Sequence, residues 1–323
     1  MSDLLQILIL GLALGGVYAL MGSGLSLIFG VMRIVNLAHP SLIMVGAYVA
    51  YWAFRIWGMD PMVTLPIAAA ILAATGVILY KLVFEREARS AKYSEMTVLL
   101  TFALAMVVEG ALGAAFTNTQ RVTSPDYATD AFFLGDVFIP KGQLYAGIVS
   151  LTLISALALF LKYSRFGYAI RATTQNREAA ELLGVNVNMV GLVSFAIGLA
   201  LAGAAGSLVS FVFSFFPAKH WEWIAVLMSL VVLGGMGSIL GTVVAAYILS
   251  TIAAFVGFFF GATWSTLTFL LALFFNLLIR PQAGRKLAAL SGPLPATESS
   301  PRWPRRGPRA SRERSRARKR RSW

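Results

Sequence analysis

Long apolar runs separated by short polar segments dominate the pattern of this chain. They fall at roughly 4–29, 38–57, 62–84, 96–116, 142–161, 190–215, 223–236, 239–260 and 262–280. Most reach the roughly 18–20 residues that an α-helix needs to cross a hydrocarbon core of about 30 Å. The pattern predicts an all-α, polytopic transmembrane bundle of about eight to ten spans. The runs are continuous rather than alternating, which argues against a membrane β-barrel. The seventh run is too short to cross alone at 1.5 Å per residue. Gly234, Gly235 and Gly237 in the Leu-Gly-Gly-Met-Gly-Ser segment at 233–238 predict a broken helix near 223–240: a half-helix, a tilted segment, or one continuous with the next. Such breaks are tolerated where protein or a water-filled cavity covers them.

One polar interruption stands out. Residues 162–189 form a loop between two spans, and within it the stretch Arg171 to Gly184 carries Glu178-Ala179-Ala180. Thr173, Thr174 or Asn176 can cap a helix start there, and Glu178 then falls in the first turn, where the helix dipole favours a carboxylate. Gly184 suits the left-handed position just past the helix end. Ala179, Leu182 and Leu183 make a small apolar face bracketed by Arg171, Arg177, Glu178 and Glu181. The pattern is read as a short helix that docks into a protein groove, with a helix lying on lipid headgroups as the alternative.

Lysines and arginines in the short loops set the orientation. Twelve fall in alternate loops: Arg33, the 81–92 segment, the 162–177 segment and the 280–286 segment. Only Arg55, Arg121, Lys141 and Lys219 fall in the other set. This places the N-terminus outside, the C-terminus in the cytoplasm and the 162–189 loop on the cytoplasmic face. The start, Met-Ser-Asp-Leu-Leu, lacks the basic region of a cleavable signal, so the first run is expected to remain as a span.

Composition agrees with the pattern and then refines it. Of 323 residues, 58% are hydrophobic and 13% charged, against roughly a quarter charged in soluble domains. The net charge of +13 is concentrated at one end, because residues 291–323 carry eleven Lys/Arg against two Glu. Residues 1–290 are therefore read as the membrane domain and 291–323 as a basic, disordered tail. The tail is either simply solvated or attracted to anionic lipid headgroups. Nucleic acid is disfavoured as a partner, since no folded reading domain is visible. Small residues at four-residue spacing (Gly11 and Gly15; Gly198, Ala202 and Gly206; Gly237, Gly241 and Ala245; Gly257 and Gly261) predict close helix packing. Gly-Leu-Ala-Leu recurs at 11–14 and 198–201, a coincidence more easily explained by composition than by an internal repeat.

Chemistry is sparse. There are no cysteines, and His39 and His220 are expected at opposite membrane faces. No zinc-protease, nucleophile-elbow or metal-ligand spacing occurs, and no phosphate-binding loop is present because Gly-Lys never occurs. An intramembrane enzyme is therefore disfavoured, and no metal or cofactor is expected on this chain. Ionisable residues within spans mark coupled transporters, and here only Glu109 stands out, about seven residues from the outer end of the fourth span. It is a candidate solute or proton site, or a residue paired with a neighbour. Asn276 in the last span reads as an interhelical hydrogen bond. Asn36, His39 and Ser41 sit where the chain turns back into the membrane and are candidates for a gate or solute path. Pro40 fits the first turn of the following helix, where Ser41 and His39 can satisfy free N–H groups. The bland alternative for all three is capping and packing.

Taken together, several stretches resemble one family. Glu178-Ala-Ala…Gly184 is similar to the EAA loop of ABC-importer permeases. More specifically, Arg165-Phe-Gly-Tyr-Ala-Ile-Arg-Ala172 with Gln175-Asn-Arg-Glu-Ala-Ala-Glu-Leu-Leu-Gly-Val-Asn186 resembles the LIV permeases of branched-chain amino acid importers. So do Phe29–Tyr48, Val232–Ser238 and Leu278-Ile-Arg-Pro-Gln282. The match covers about residues 5–286. Pro40 departs from the glycine usual after Ala-His, and Arg33 sits where a small residue is common. The resemblance implies a bacterial inner-membrane importer in which this chain pairs with a second related permease, two ATPase subunits and a soluble substrate-binding protein. ATP and Mg²⁺ would then be bound by the partner ATPases, and the helix around 174–184 would dock on them. Import of branched-chain or related amino acids is the function implied. Urea, short amides or aromatic acids are alternative cargo, and a stand-alone channel or facilitator is the alternative of a different class.

Overall fold

A computed structural model describes residues 2–85, 93–135 and 137–279. The basic tail and Arg280 to Lys286 lie outside the described residues. The expected all-helical bundle is what forms. Its helices are α1 (Ser2–Met32), α2 (His39–Trp57), α3 (Pro61–Leu79), α4 (Tyr93–Phe116), the single turn α5 (Asp126–Thr129), α6 (Lys141–Tyr163), α7 (Arg165–Gln175), α8 (Arg177–Leu182), α9 (Val187–Val212), α10 (His220–Gly234), α11 (Ile239–Phe260) and α12 (Ala262–Ile279). Seven of them (α1, α3, α4, α6, α9, α11 and α12) are long and apolar enough to cross a membrane. α3 continues through a π-helical turn, Tyr80–Phe84. A two-stranded antiparallel hairpin, β1 (Ala131–Leu134) and β2 (Val137–Pro140), pairs Ala131 with Pro140 and Leu134 with Val137. The hydropathy pattern gave no hint of this hairpin.

α9 is the most buried span and lies against α1, α2 and α3. Membrane helices gain no hydrophobic drive from one another, so close approach must come from small residues. At Gly24 an added Cβ would sit 2.7 Å from the Gly198 carbonyl oxygen, and at Gly46 it would sit 2.8 Å from that of Gly203. Gly11 and Gly15 meet α11 at Thr251 and Ser250, and the Ser250 hydroxyl donates to the Gly11 carbonyl at 2.8 Å. The predicted small-residue stripes thus pack helices, with one exception. Gly261 touches nothing within 4 Å and serves instead at φ +100° in the turn between α11 and α12. The two Gly-Leu-Ala-Leu segments have different neighbours: Gly11 lies on α11, whereas Gly198 lies on α1.

The broken helix falls where expected. α10 ends at Gly234, Gly235 and Gly237 take φ +91° and +87°, and the Ser238 hydroxyl accepts from the Gly241 N–H to start α11. With 15 residues, α10 is about 22 Å long. After α9 residues 213–216 run without helix before a single 3₁₀ turn, Pro217–Lys219, and backbone groups of this segment pair within the protein. Phe215 and Arg121 exchange both backbone hydrogen bonds at 2.9 Å, and Thr123 N–H donates to the Ser210 carbonyl at 2.7 Å. Phe215 and Pro217 are buried.

Candidate coupling site and the turn before the second long helix

Two short helices build the polar loop. Ser164 opens α7 by accepting from the Gly167 N–H at 2.8 Å. The amphipathic stretch 165–175 therefore forms a helix of its own within the polar loop. Asn176 then takes extended backbone (φ −151°, ψ 107°) and its side-chain oxygen accepts from the Ala179 N–H at 3.0 Å. Of the three caps considered from sequence, Asn176 is the one used; the Thr173 and Thr174 hydroxyls instead donate back to Ala169 and Ile170. Glu178 lies in the first turn of α8, and Arg177 faces Glu181 at 3.6 Å, one turn on. Gly184 takes φ +84° and closes the helix, with the Val185 N–H donating to the Ala180 carbonyl at 3.0 Å.

This arrangement holds a small apolar face outward. Ala180 is buried, whereas Ala179, Glu178 and Arg177 are exposed. Leu182 and Leu183 are 89% and 84% exposed, more than any other described large hydrophobic side chain. Two leucines are thus presented outward at the end of a capped, charge-flanked helix.

The loop is tied to the rest of the protein through Arg33. This residue adopts φ +58°, the left-handed conformation that a non-glycine residue takes only at a cost. From there its Nη2 donates to the Thr174 carbonyl at 2.7 Å, near the C-terminal end of α7, where carbonyls lack helical partners. A cleft of ≈ 400 Å³ between Arg33, Val31, Gln175, Arg177 and Glu178 opens beside this contact. Gly30, one turn back on α1, touches Gly237 and the Thr174 methyl. The end of α1, the end of α7 and the glycine turn 234–238 thus converge, although they are far apart in sequence.

The turn at 36–41 follows directly from Arg33. The Asn36 side-chain oxygen accepts from the Ala38 N–H at 3.1 Å, and its carbonyl accepts from the His39 N–H at 3.2 Å. This corrects the expected capping. Ser41 caps no N–H, because its hydroxyl donates to the Ala38 carbonyl at 2.8 Å. The His39 ring turns into the bundle, where Nε2 lies 3.2 Å from the Met21 carbonyl and the ring packs over Gly24. All three side chains are buried, and Asn36 Nδ2 and His39 Nδ1 have no partner.

Glu109 lies apart from these residues. It is seven residues, about 10 Å, before the end of α4. Trp221 Nε1 donates to its carboxylate at 2.9 Å, and His220 Nε2 lies 3.9 Å away. It ties α4 to the start of α10, the neighbour-paired arrangement. His39 packs against α1, and His220 lies beside Glu109 of α4. Among the described residues no cluster of three or more metal-ligating side chains occurs.

Residues 7–290 match the family described as branched-chain amino acid transport system / permease component. The chain belongs to this family of transport permeases. The permease is 28% identical to the probable branched-chain amino acid transport permease protein LivH of Methanocaldococcus jannaschii, over 76% of this chain and 79% of that one. It is 27% identical to the high-affinity branched-chain amino acid transport system permease protein LivH of Escherichia coli K12, over 86% and 94%. It is also similar, at 26% over 72% and 60%, to the permease protein LivM of the same organism. No solved structure matches it. The resemblance read from 165–186, 29–48 and 232–238 is thereby borne out, and the permease is a multi-pass membrane protein.

Proposed function

We propose that this chain is one of two related permeases of an ATP-driven importer for branched-chain or related amino acids, and that α8 is its docking helix for an ATPase subunit. The observation that carries this reading is the exposed Leu182–Leu183 pair on a helix capped at both ends, directly after α7, whose Thr174 carbonyl is held by Arg33. ATP and Mg²⁺ belong to the partner subunits, and a soluble binding protein delivers the amino acid from outside. The similarity to both LivH and LivM supports a paired permease.

Orientation follows from charge. Arg33, Arg171 and Arg177 lie at the α8 end of the bundle, and Arg121 and Lys219 at the other. The excess of cations at the α8 end makes it cytoplasmic in a bacterial inner membrane, with the N-terminus outside. When the ATPases close, α8 moves, and Arg33 transmits that motion to the Asn36–Ser41 turn, which acts as the inner gate. The unpartnered, buried Asn36 Nδ2 and His39 Nδ1 support that role. Replacing Glu178 and Gly184 together tests the reading. Copurification with the ATPase is expected to disappear and uptake with it; continued ATPase binding with intact transport would refute it. Reconstituted alone in liposomes, the chain is expected to pass no solute.

A further inference from the structure

Five aromatic rings meet around one arginine at the end of the bundle opposite α8. Tyr48, Tyr51 and Trp52 come from α2, Phe116 from the end of α4 and Phe215 from the segment before α10. Tyr48 stacks on Phe116 at 4.9 Å and meets Phe215 edge-on at 5.1 Å, and Trp52 lies 5.3 Å from Phe116. The Arg121 guanidinium sits over Tyr51 and Trp52 at 5.3 and 5.6 Å from the ring centroids. Its Nη2 donates to the Phe116 carbonyl at 2.5 Å and its Nη1 reaches the Tyr51 hydroxyl at 3.4 Å. No carboxylate pairs with Arg121 among the described residues.

The hydrogen-bond count shows what the cluster lacks. Arg121 Nε, Trp52 Nε1 and, two residues along the Arg121 segment, the Thr123 hydroxyl are buried without a partner, and the Tyr48 hydroxyl faces the Arg121 guanidinium. Nε and the indole N–H can only donate, and both hydroxyls are able to donate. Buried polar groups in native proteins are nearly always satisfied, so three orphans on neighbouring segments need an explanation. A site rich in donors, bearing one positive charge and no acid, is complementary to a singly charged planar anion. A carboxylate matches the fork of the guanidinium. The surrounding rings offer apolar walls to whatever the carboxylate carries, as small-molecule sites do.

We infer that Arg121, with Tyr48, Trp52 and Thr123, forms an extracytoplasmic entry site that takes the α-carboxylate of the incoming amino acid, its apolar side chain lying against the aromatic walls. This rests on the importer reading above for its cargo and its orientation. It assigns to the permease an early selection for the carboxylate group, separate from the gate at Asn36–Ser41.

The test uses the assembled complex in nanodiscs without ATP, with leucine and leucinamide as probes followed by saturation-transfer NMR. Arg121→Gln is expected to weaken leucine binding roughly ten- to a hundredfold, the range of a lost charge-assisted hydrogen bond, and Arg121→Lys to fall between. Leucinamide, lacking the carboxylate, is expected to bind weakly and to be indifferent to Arg121→Gln. Unchanged leucine binding in Arg121→Gln, or an equal loss for both probes, would overturn the site. Trp52→Phe and Thr123→Val each remove one donor but keep the charge. They are expected to weaken leucine binding several-fold, and they serve if Arg121→Gln does not assemble; no change in both would equally overturn the site. Carboxylate-dependent binding without ATP-driven uptake would refute the importer and leave the site. Uptake of leucine unaffected by Arg121→Gln would do the reverse.

Discussion

The docking reading makes its most demanding prediction at Leu182 and Leu183. Both side chains are almost fully exposed, at 89% and 84%, so nearly all of their apolar surface remains to be buried by a partner. Truncation to alanine removes three carbons from each, at roughly 0.8 kcal/mol per buried group. Some of that surface will lie at the rim of any interface, so about 2 kcal/mol per leucine is a fair expectation, or about 4 kcal/mol for the pair. At 1.4 kcal/mol per decade this is about a thousandfold in Kd. The same leucines contribute little to the permease fold, so its stability should change by no more than about 0.5 kcal/mol. The measurement is a titration of the ATPase subunit onto the permease complex in nanodiscs by surface plasmon resonance, paired with thermal unfolding of each variant. A Kd shift below about threefold would refute the reasoning. So would a large Kd shift accompanied by a large fall in Tm, because the leucines would then act through the fold. Ala180 supplies the contrasting case: it is 2% exposed, so Ala180→Asp should lower Tm first and docking as a consequence.

The remaining predictions concern transmission, packing and the outer surface. Arg33→Ala removes the donor to the Thr174 carbonyl. Docking should persist and ATP hydrolysis continue, while uptake per ATP falls on the order of tenfold in proteoliposomes. Gly24→Ala places a methyl 2.7 Å from the Gly198 carbonyl oxygen and 3.0 Å from the His39 ring, so Tm should fall, corresponding to about 1–3 kcal/mol of overpacking. In the segment around α5, burial and then the hydrogen bond to Asp60 raise the Tyr127 hydroxyl above its ordinary value of 10.0. A raised pKa means the stabilisation is complete below about pH 10 and is lost as pH rises through the folded-state value. Tyr127→Phe should therefore flatten the alkaline limb of a stability–pH profile, at a cost of about 1 kcal/mol at neutral pH.

Particular residues show what was legible in the sequence. The spans were, because a bilayer imposes length and apolarity on contiguous residues, and contiguous residues are what a sequence displays. Asn176 and Gly184 were legible for a similar reason, since caps are chemistry within one helical turn. Ser164 carries the same kind of signal and opens α7, which the polar character of 165–175 obscured. The helix break at 234–238 was legible from its glycines, but not that Gly237 would land on Gly30. Contacts between distant segments have no local signature. Arg33 meets Thr174 across 141 residues, and Arg121 meets Tyr51 across 70. In sequence, Arg33 reads as a cation where the family commonly has a small residue, and Arg121 as one of four cations in the sparser set of loops. Each joins segments that no periodicity relates, and at each the backbone or the hydrogen-bond count is anomalous: a positive φ at Arg33, an orphaned Nε at Arg121. The local patterns of this chain describe what lets it sit in a membrane, while the two anomalies mark where an importer would receive force at one face and cargo at the other.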